Sequence, residues 1–322
     1  MKRSVFYLLF SLLLTLTLSW AIYGQDAQQS PPTQEQEVAT PEHRGEDARP
    51  KPCSVRTLNV AYGWLGKGTV LNMPNLPSGP MAILGRAEYD GAGNFKTTFT
   101  GNYNGLIITQ TETGTYIINH DCTGTISFRF GDAPTVITND GREIRSLQAY
   151  PVGAMLPPNT GWVLDAIGRR IAPEPRDDSW RERIRAARFT CNPHNVAGTY
   201  VVQASGTVLN APPFPSGPAL GLSRIELNAA GQSSVKGTFN FNGLVMPIFD
   251  TATGTGLNPD CTSTAKQTGN GAIQKSVFVN GGTEFFFLQL PPEGVPGMQG
   301  IGAVFFGEGK RIQAAERIGV RW

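Results

Sequence analysis

The sequence predicts an all-β protein: two tandem, homologous antiparallel β-barrels joined by a short helical linker. Three observations carry that expectation. Blocks of sequence recur collinearly at a fixed offset, apolar residues alternate with polar ones at the strand period, and turn signals recur at roughly 8–12-residue spacing. The offset is set by Gly68-Thr69-Val70-Leu71-Asn72, which returns as Gly206-Thr207-Val208-Leu209-Asn210, and by Pro77-Ser78-Gly79-Pro80, which returns as Pro215-Ser216-Gly217-Pro218, both at 138 residues. The same register aligns Cys53 with Cys191, Tyr62 with Tyr200, Arg86 with Arg224, Glu88 with Glu226, and Asn104-Gly105 with Asn242-Gly243. One inserted residue later, Asn119-His120-Asp121-Cys122-Thr123 meets Asn258-Pro259-Asp260-Cys261-Thr262. At an offset of 141, Leu147-Gln148 meets Leu288-Gln289 and Gly168-Arg169-Arg170-Ile171 meets Gly309-Lys310-Arg311-Ile312. A solenoid repeats every 20–50 residues or so, and this period is far longer, so the chain is a duplication of whole domains.

In chain order, residues 1–24 have the pattern of a secretory leader. Lys2 and Arg3 form a positive start, Val5 to Leu18 an apolar core, and small residues allow cleavage after Ala21 or Gly24. An uncleaved anchor is the alternative, but Ser11, Thr15 and Thr17 interrupt the run, which falls short of the usual span of about 20 apolar residues. No other segment is long and apolar enough to span as a helix. The expected location is therefore secreted or periplasmic, with no transmembrane segment in the mature chain. Residues 25–52 carry Gln, Pro and charge with almost nothing to bury, which predicts a disordered tether.

The two units run over 53–171 and 191–322, with a linker over 172–190. Ile126-Ser127-Phe128-Arg129-Phe130 alternates as a half-buried strand does, and Phe95 to Phe99 and Ser276 to Val279 are β-rich. Asp90-Gly91, Asn104-Gly105, Asn139-Asp140-Gly141 and Gly281-Gly282 mark turns. A meander of hairpins closes naturally into a barrel and so removes its edges; a sandwich is the runner-up. In the linker, Pro173 and Pro175 stop the first unit, and Ser179 to Arg188 has helical spacing with Trp180, Ile184 and Ala187 on one face.

An exported chain meets oxidising conditions, and all four cysteines lie in the mature part. Each unit has one cysteine at its start and one in its middle, so the duplication favours Cys53–Cys122 and Cys191–Cys261. The alternative joins the two early cysteines to each other and the two late ones. Each favoured bridge closes a loop of about 70 residues and contributes roughly 3–5 kcal/mol if unstrained.

Gly198-Thr199-Tyr200, and the stretch from Gly114-Thr115-Tyr116 through Asn119-His120-Asp121-Cys122-Thr123-Gly124-Thr125, resemble a pattern in poorly characterised secreted bacterial proteins. Those proteins are similar to small calycin-like or allene-oxide-cyclase-like barrels. The resemblance covers 53–171 and 191–312 and implies a barrel fold without fixing an activity. Unit 2 departs from the pattern at Thr255-Gly256-Leu257 and Cys261-Thr262-Ser263, and Tyr62-Gly63-Trp64 does not fit the Gly-x-Trp that opens lipocalins. A lipocalin-type transport role is therefore an analogy of fold.

Composition excludes several chemistries. A net charge of +2 with 16% charged residues argues against nucleic acid as a partner, since such proteins carry a clear basic excess. Three histidines and four cysteines leave little for a metal centre, and no metal or cofactor is expected. Gly-x-Ser-x-Gly, phosphate-loop, His-Glu-x-x-His and Cys-x-x-Cys motifs are absent. His43 falls in the tether, His194 has no counterpart in unit 1, and His120 is replaced by Pro259, so each reads as structural or solvated. Asp121 and Asp260 read as turn formers. The candidate ligand-binding residues are polar pairs kept in both copies: Arg86 with Glu88, Arg224 with Glu226, and Gln148 with Gln289. Residues two apart on a strand share a face, so each Arg–Glu pair lies either inside a barrel or on its surface. The expected role is non-enzymatic binding of a small apolar or amphipathic ligand, or of a surface partner. The alternatives are an isomerase or cyclase using Glu88 or Glu226, and a structural or adhesive envelope protein with solid barrels.

Overall fold

The computed structural model describes residues 52–129, 131–150, 160–173, 189–292 and 302–314. The leader, the tether up to residue 51 and the connector helix expected over 179–188 lie outside the described residues. Barrel 1 is the meander β1 (Ala61–Leu71), β2 (Gly79–Tyr89), β3 (Asn94–Tyr103), β4 (Leu106–Ile118), β5 (Thr123–Phe128), β6 (Gly131–Thr138), β7 (Glu143–Tyr150) and β8 (Gly161–Arg170). Barrel 2 is β9 (Gly198–Leu209), β10 (Gly217–Leu227), β11 (Gln232–Phe241), β12 (Leu244–Leu257), β13 (Thr262–Gln267), β14 (Ala272–Val279), β15 (Glu284–Pro292) and β16 (Gly302–Ala314). Every strand pairs antiparallel with its sequence neighbour, and each set closes on itself, β8 on β1 and β16 on β9. Closure leaves no edge, so the open sandwich is not what forms. Among the described residues no helix is long and apolar enough to cross a membrane.

The repeated sequence signatures hold the turns and one end of each barrel. Asn104-Gly105 and Asn242-Gly243 take positive φ at both positions, as a tight two-residue hairpin needs. Each asparagine also donates from Nδ2 to the carbonyl of the repeated serine, Ser78 or Ser216, at 2.7 Å. That serine in turn accepts the backbone N–H of Asn72 or Asn210, so the Pro-Ser-Gly-Pro loop is locked to the neighbouring hairpin. The turn-former reading of the aspartates matches the geometry: Asp121 and Asp260 each accept a backbone N–H and a hydroxyl from the threonine two residues on.

At the opposite end, a floor is laid across each barrel. Cys53–Cys122 and Cys191–Cys261 are both bridged, with Cα–Cα distances of 5.0 and 4.9 Å, and tie the segment before each barrel to a hairpin turn. The favoured pairing is the one observed, and such bridges belong to oxidising compartments. A 3-10 turn over Val55–Leu58 plugs barrel 1, and the short helix α1 (Pro193–Val196), capped by Asn192, plugs barrel 2. Tyrosines hold these floors: Tyr116 donates to the Val55 and Leu58 carbonyls and Tyr200 to the Val196 carbonyl, while the repeated Tyr62 and Tyr200 also donate to the Gly141 and Gly282 carbonyls of the adjoining turns.

The barrels pack side by side through their outer faces. Leu65, Ala82 and Leu84 of barrel 1 join one buried cluster with Val277, Val279, Phe286, Leu288 and Val304 of barrel 2. The approach is close enough that a Cβ on Gly63 would lie 2.6 Å from Val279. Polar links flank this joint: Asn102 Nδ2 donates to the Ala303 carbonyl, and Lys275 Nζ to Thr100 Oγ1. Arg169 contacts Glu143 in its own barrel, and Glu284 and Glu308 across the joint at 2.9 and 2.7 Å.

Candidate functional site

Barrel 1 encloses a cavity of about 360 Å³. It lies between two packed ends. Tyr62, Tyr89, Phe95, Tyr116 and Ile126 fill the floor, with Tyr89 and Tyr116 edge to face at 5.2 Å. Val70, Met81, Tyr103 and Leu164 gather at the rim. Between them the wall is mostly apolar, with Trp64, Ile83, Phe99, Ile108 and Trp162 turned inward. Small residues, Gly66, Gly85, Ala87, Ala133 and Ala166, leave the space that these large side chains do not fill.

Polar groups are few and grouped by strand. On β4, Gln110 and Glu112 point inward together, and Gln110 Nε2 donates to Glu112 Oε1 at 2.9 Å. Burial holds the Glu112 carboxyl above the ordinary carboxylate range, partly opposed by the positive charge of Arg129. The Tyr103 phenol is pushed up to about 12, by burial first and then by the charge of Glu112. Gln148 also lines the cavity. Ser146 and Thr97 are occupied: Ser146 shares a hydrogen bond with Thr135, and Thr97 donates to the Arg86 carbonyl. The indole N–H of Trp64 is buried and meets no acceptor at full hydrogen-bond geometry.

Barrel 2 is hollow in a different way. It holds a lobe of about 190 Å³ near its floor and one of about 430 Å³ near its rim. Asp250, Gln267 and Gln274 border both lobes and form a polar belt between them. The belt is largely self-satisfied. Gln289 reaches Gln267 at 3.4 Å, Gln274 donates to Ser276, and Asp250 Oδ1 accepts from the Thr251 and Gly269 amides and the Thr268 hydroxyl.

The residues singled out in the sequence divide cleanly. Gln148 lines the cavity of barrel 1 and Gln289 the rim lobe of barrel 2. Arg86 and Glu88 pair with each other on the outer face of β2, and Arg224 and Glu226 do the same at 2.7 Å on β10. Strand parity decides this: Met81, Ile83, Gly85, Ala87 and Tyr89 point inward, so the even positions of β2 point out. Neither Arg–Glu pair lines a barrel interior, and Glu226 borders an open surface groove with Asn228 and Thr251. The inward carboxyl that sequence reasoning passed over is Glu112. Counting back by twos from the buried Tyr116 places it on the inner face, and its register partner in the second copy is Asp250, another carboxyl.

No family model matches the chain, and no curated protein matches it. Solved structures that match in part include a DUF3598-family protein of unknown function from Nostoc punctiforme, at 10% identity and a TM-score of 0.23, covering 81% of this chain and 99% of that one. CghA, solved with Sch210972, has 9% identity and a TM-score of 0.25, covering 81% of this chain and 93% of its own. An AttH-like protein from Nitrosomonas europaea has 7% identity and a TM-score of 0.23, covering 78% and 92%. At these TM-scores the likenesses carry no argument about family or activity.

Proposed function

We propose that this is an exported binding protein whose first barrel takes up a small, largely apolar ligand with one polar or cationic group. The observation that carries the reading is the cavity of about 360 Å³, apolar on nearly every wall and polar at Gln110–Glu112. Ligand sites are typically about 300–1,000 Å³, mostly apolar, with a few convergent polar groups. The motif resemblance to calycin-like barrels points the same way, and the two disulfides suit a secreted or periplasmic location.

The test uses the two tryptophans in the wall as reporters. N-phenyl-1-naphthylamine added to the disulfide-intact protein is expected to quench Trp64 and Trp162 saturably, and native mass spectrometry to show one bound molecule per chain. Ala166→Phe fills the cavity and should abolish both signals while the thermal transition persists. Unsaturable quenching, or quenching unchanged in Ala166→Phe, would overturn the reading and favour a structural or adhesive role.

The isomerase or cyclase reading is a second one, and Glu112 is the specific observation in its favour. An acid–base group in an apolar barrel needs a carboxyl inside it, and burial raises the pKa of this one toward the working range of a general acid. Glu88 and Glu226 lie outside the barrels and do not serve that role. Glu112→Gln is expected to spare probe binding; loss of turnover of a bound ligand in that variant would favour catalysis over carriage.

A further inference from the structure

The two halves of the joint between the barrels recur on other outer faces, where no described barrel packs on them; on barrel 2 that face adjoins the joint, with Leu222 bordering a groove that Arg169 also lines. On barrel 1 the joint uses Ala82 and Leu84 of β2; their register partners on barrel 2 are Leu220 and Leu222 of β10. On barrel 2 it uses Val277, Leu288 and Val304; their partners on barrel 1 are Val136, Leu147 and Val163. All five of those partners are 46–62% exposed, and no described residue covers them. Single exposed apolar side chains are ordinary. Five at the counterparts of a buried interface are not, although Leu65, Val279 and Phe286 of the joint give way to Gln203, Thr138 and Arg145.

Charge follows the same logic. Across the joint Arg169 binds Glu284 at 2.9 Å. The counterpart of Arg169 is Lys310 and the counterpart of Glu284 is Glu143, so a cation on barrel 2 again has a carboxylate at the matching position on barrel 1, one that Arg169 and Arg145 of its own barrel also contact. We propose that a second copy of this chain occupies these faces, the β9–β10 surface of barrel 2 in one copy docking on the β6–β8 surface of barrel 1 in another. The contact is heterologous, so it leaves one face of each kind free and generates rings or chains of copies. It is weaker than the internal joint for two reasons. Val201 stands where Gly63 allows close approach, and Arg145 and Asp165 replace Phe286 and Phe306. The association is therefore concentration-dependent, unlike the covalently tethered joint.

Sedimentation velocity on the full, disulfide-intact chain tests this. The wild type is expected to sediment faster as concentration rises. Leu222→Lys and Leu147→Lys are each expected to weaken association at least tenfold. Mixed together, they should form a two-chain complex that does not grow, since one variant keeps a working barrel 1 face and the other a working barrel 2 face. Retention of the wild-type melting transition shows that each variant folds; Leu220→Lys and Val163→Lys replace either one that does not. A wild type that stays monomeric at every concentration overturns the proposal. So does dissociation by Leu222→Lys alone, which would mean symmetric pairing of the barrel 2 face. A monomer that floats with phosphatidylcholine–phosphatidylglycerol vesicles overturns it too, in favour of a membrane surface.

Discussion

Barrel 1 and barrel 2 distribute their inward aromatic side chains differently among the strands. In barrel 1 the inward aromatics include Trp64, Phe95, Phe99, Phe128 and Trp162; their counterparts in barrel 2 are Val202, Ser233, Gly237, Gln267 and Ala303. On β14 and β15 the exchange reverses. Ile137, Ile144 and Ser146 of barrel 1 give way to Phe278, Phe285 and Phe287; Phe278 and Phe285 pack on Tyr200 at the floor of barrel 2, and Phe287 extends from Phe285 toward the rim lobe. The duplicated features are the disulfide, the pinning tyrosine, the Asn-Gly hairpin and the serine-locked loop, all of which build turns and floors. Where the copies diverge is the interior. The scaffold therefore tolerates a redistribution of bulk between walls, and binding chemistry is free to differ between the two barrels: one apolar cavity with a half-buried glutamate, and two lobes parted by a self-satisfied polar belt.

The largest expected effect tests what is shared. Replacing both cysteines of either bridge by serine should cost roughly 3–5 kcal/mol, because the bridges close loops with sequence separations of 69 and 70. Calorimetry on the two double variants should show similar losses; a loss confined to one barrel would mean that the floors are not equivalent.

Interior substitutions sharpen the contrast. Ala166 has room before it, whereas its counterpart Gly307 does not: a Cβ there would lie 2.1 Å from the Gln203 backbone oxygen. Gly307→Ala is expected to destabilise by about 1–3 kcal/mol, the usual cost of overpacking, while Ala166→Ser should stay within about 0.5 kcal/mol. Denaturant midpoints check both, and equal losses would erase the distinction between the walls.

A pH series isolates the inward carboxylate of barrel 1. Glu112 holds its proton to higher pH in the folded chain than in the unfolded one, because burial disfavours its charge. In the window between the ordinary carboxylate range and its raised value, the folded state binds more protons. Its contribution to stability is thus greatest below that window and falls as pH rises through it. Glu112→Gln should flatten that fall and slightly raise the melting temperature at neutral pH. Asp250→Ala should instead destabilise by about 1–2 kcal/mol, since it removes the acceptor for the Thr251 and Gly269 amides. Smallest of all, Glu88→Gln and Glu226→Gln on the outer faces should each change stability by less than about 1 kcal/mol. Neither should alter probe binding in barrel 1.

Local chemistry was legible in the sequence wherever a single short segment decides its own conformation. Asn104-Gly105 needs positive φ, Asp121 and Asp260 turn on their own threonines, and alternation with turn punctuation gives strands; the repeat register then indicates which cysteines pair. Gln148 and Gln289 stood out as polar residues flanked by apolar ones in both copies, but which face they take is read only from the closed barrels. The parity of β2 was not, since Ile83, Ala87 and the Arg86–Glu88 pair read equally well on either face, and only the closing of β1 against β8 fixes which side is inside. The shape of the interiors was likewise hidden, because a cavity is the space left by side chains from eight strands far apart in sequence. The joint was hidden for the same reason: Leu84 and Leu222 occupy matching positions with matching side chains, and tertiary packing alone buries the first and leaves the second exposed.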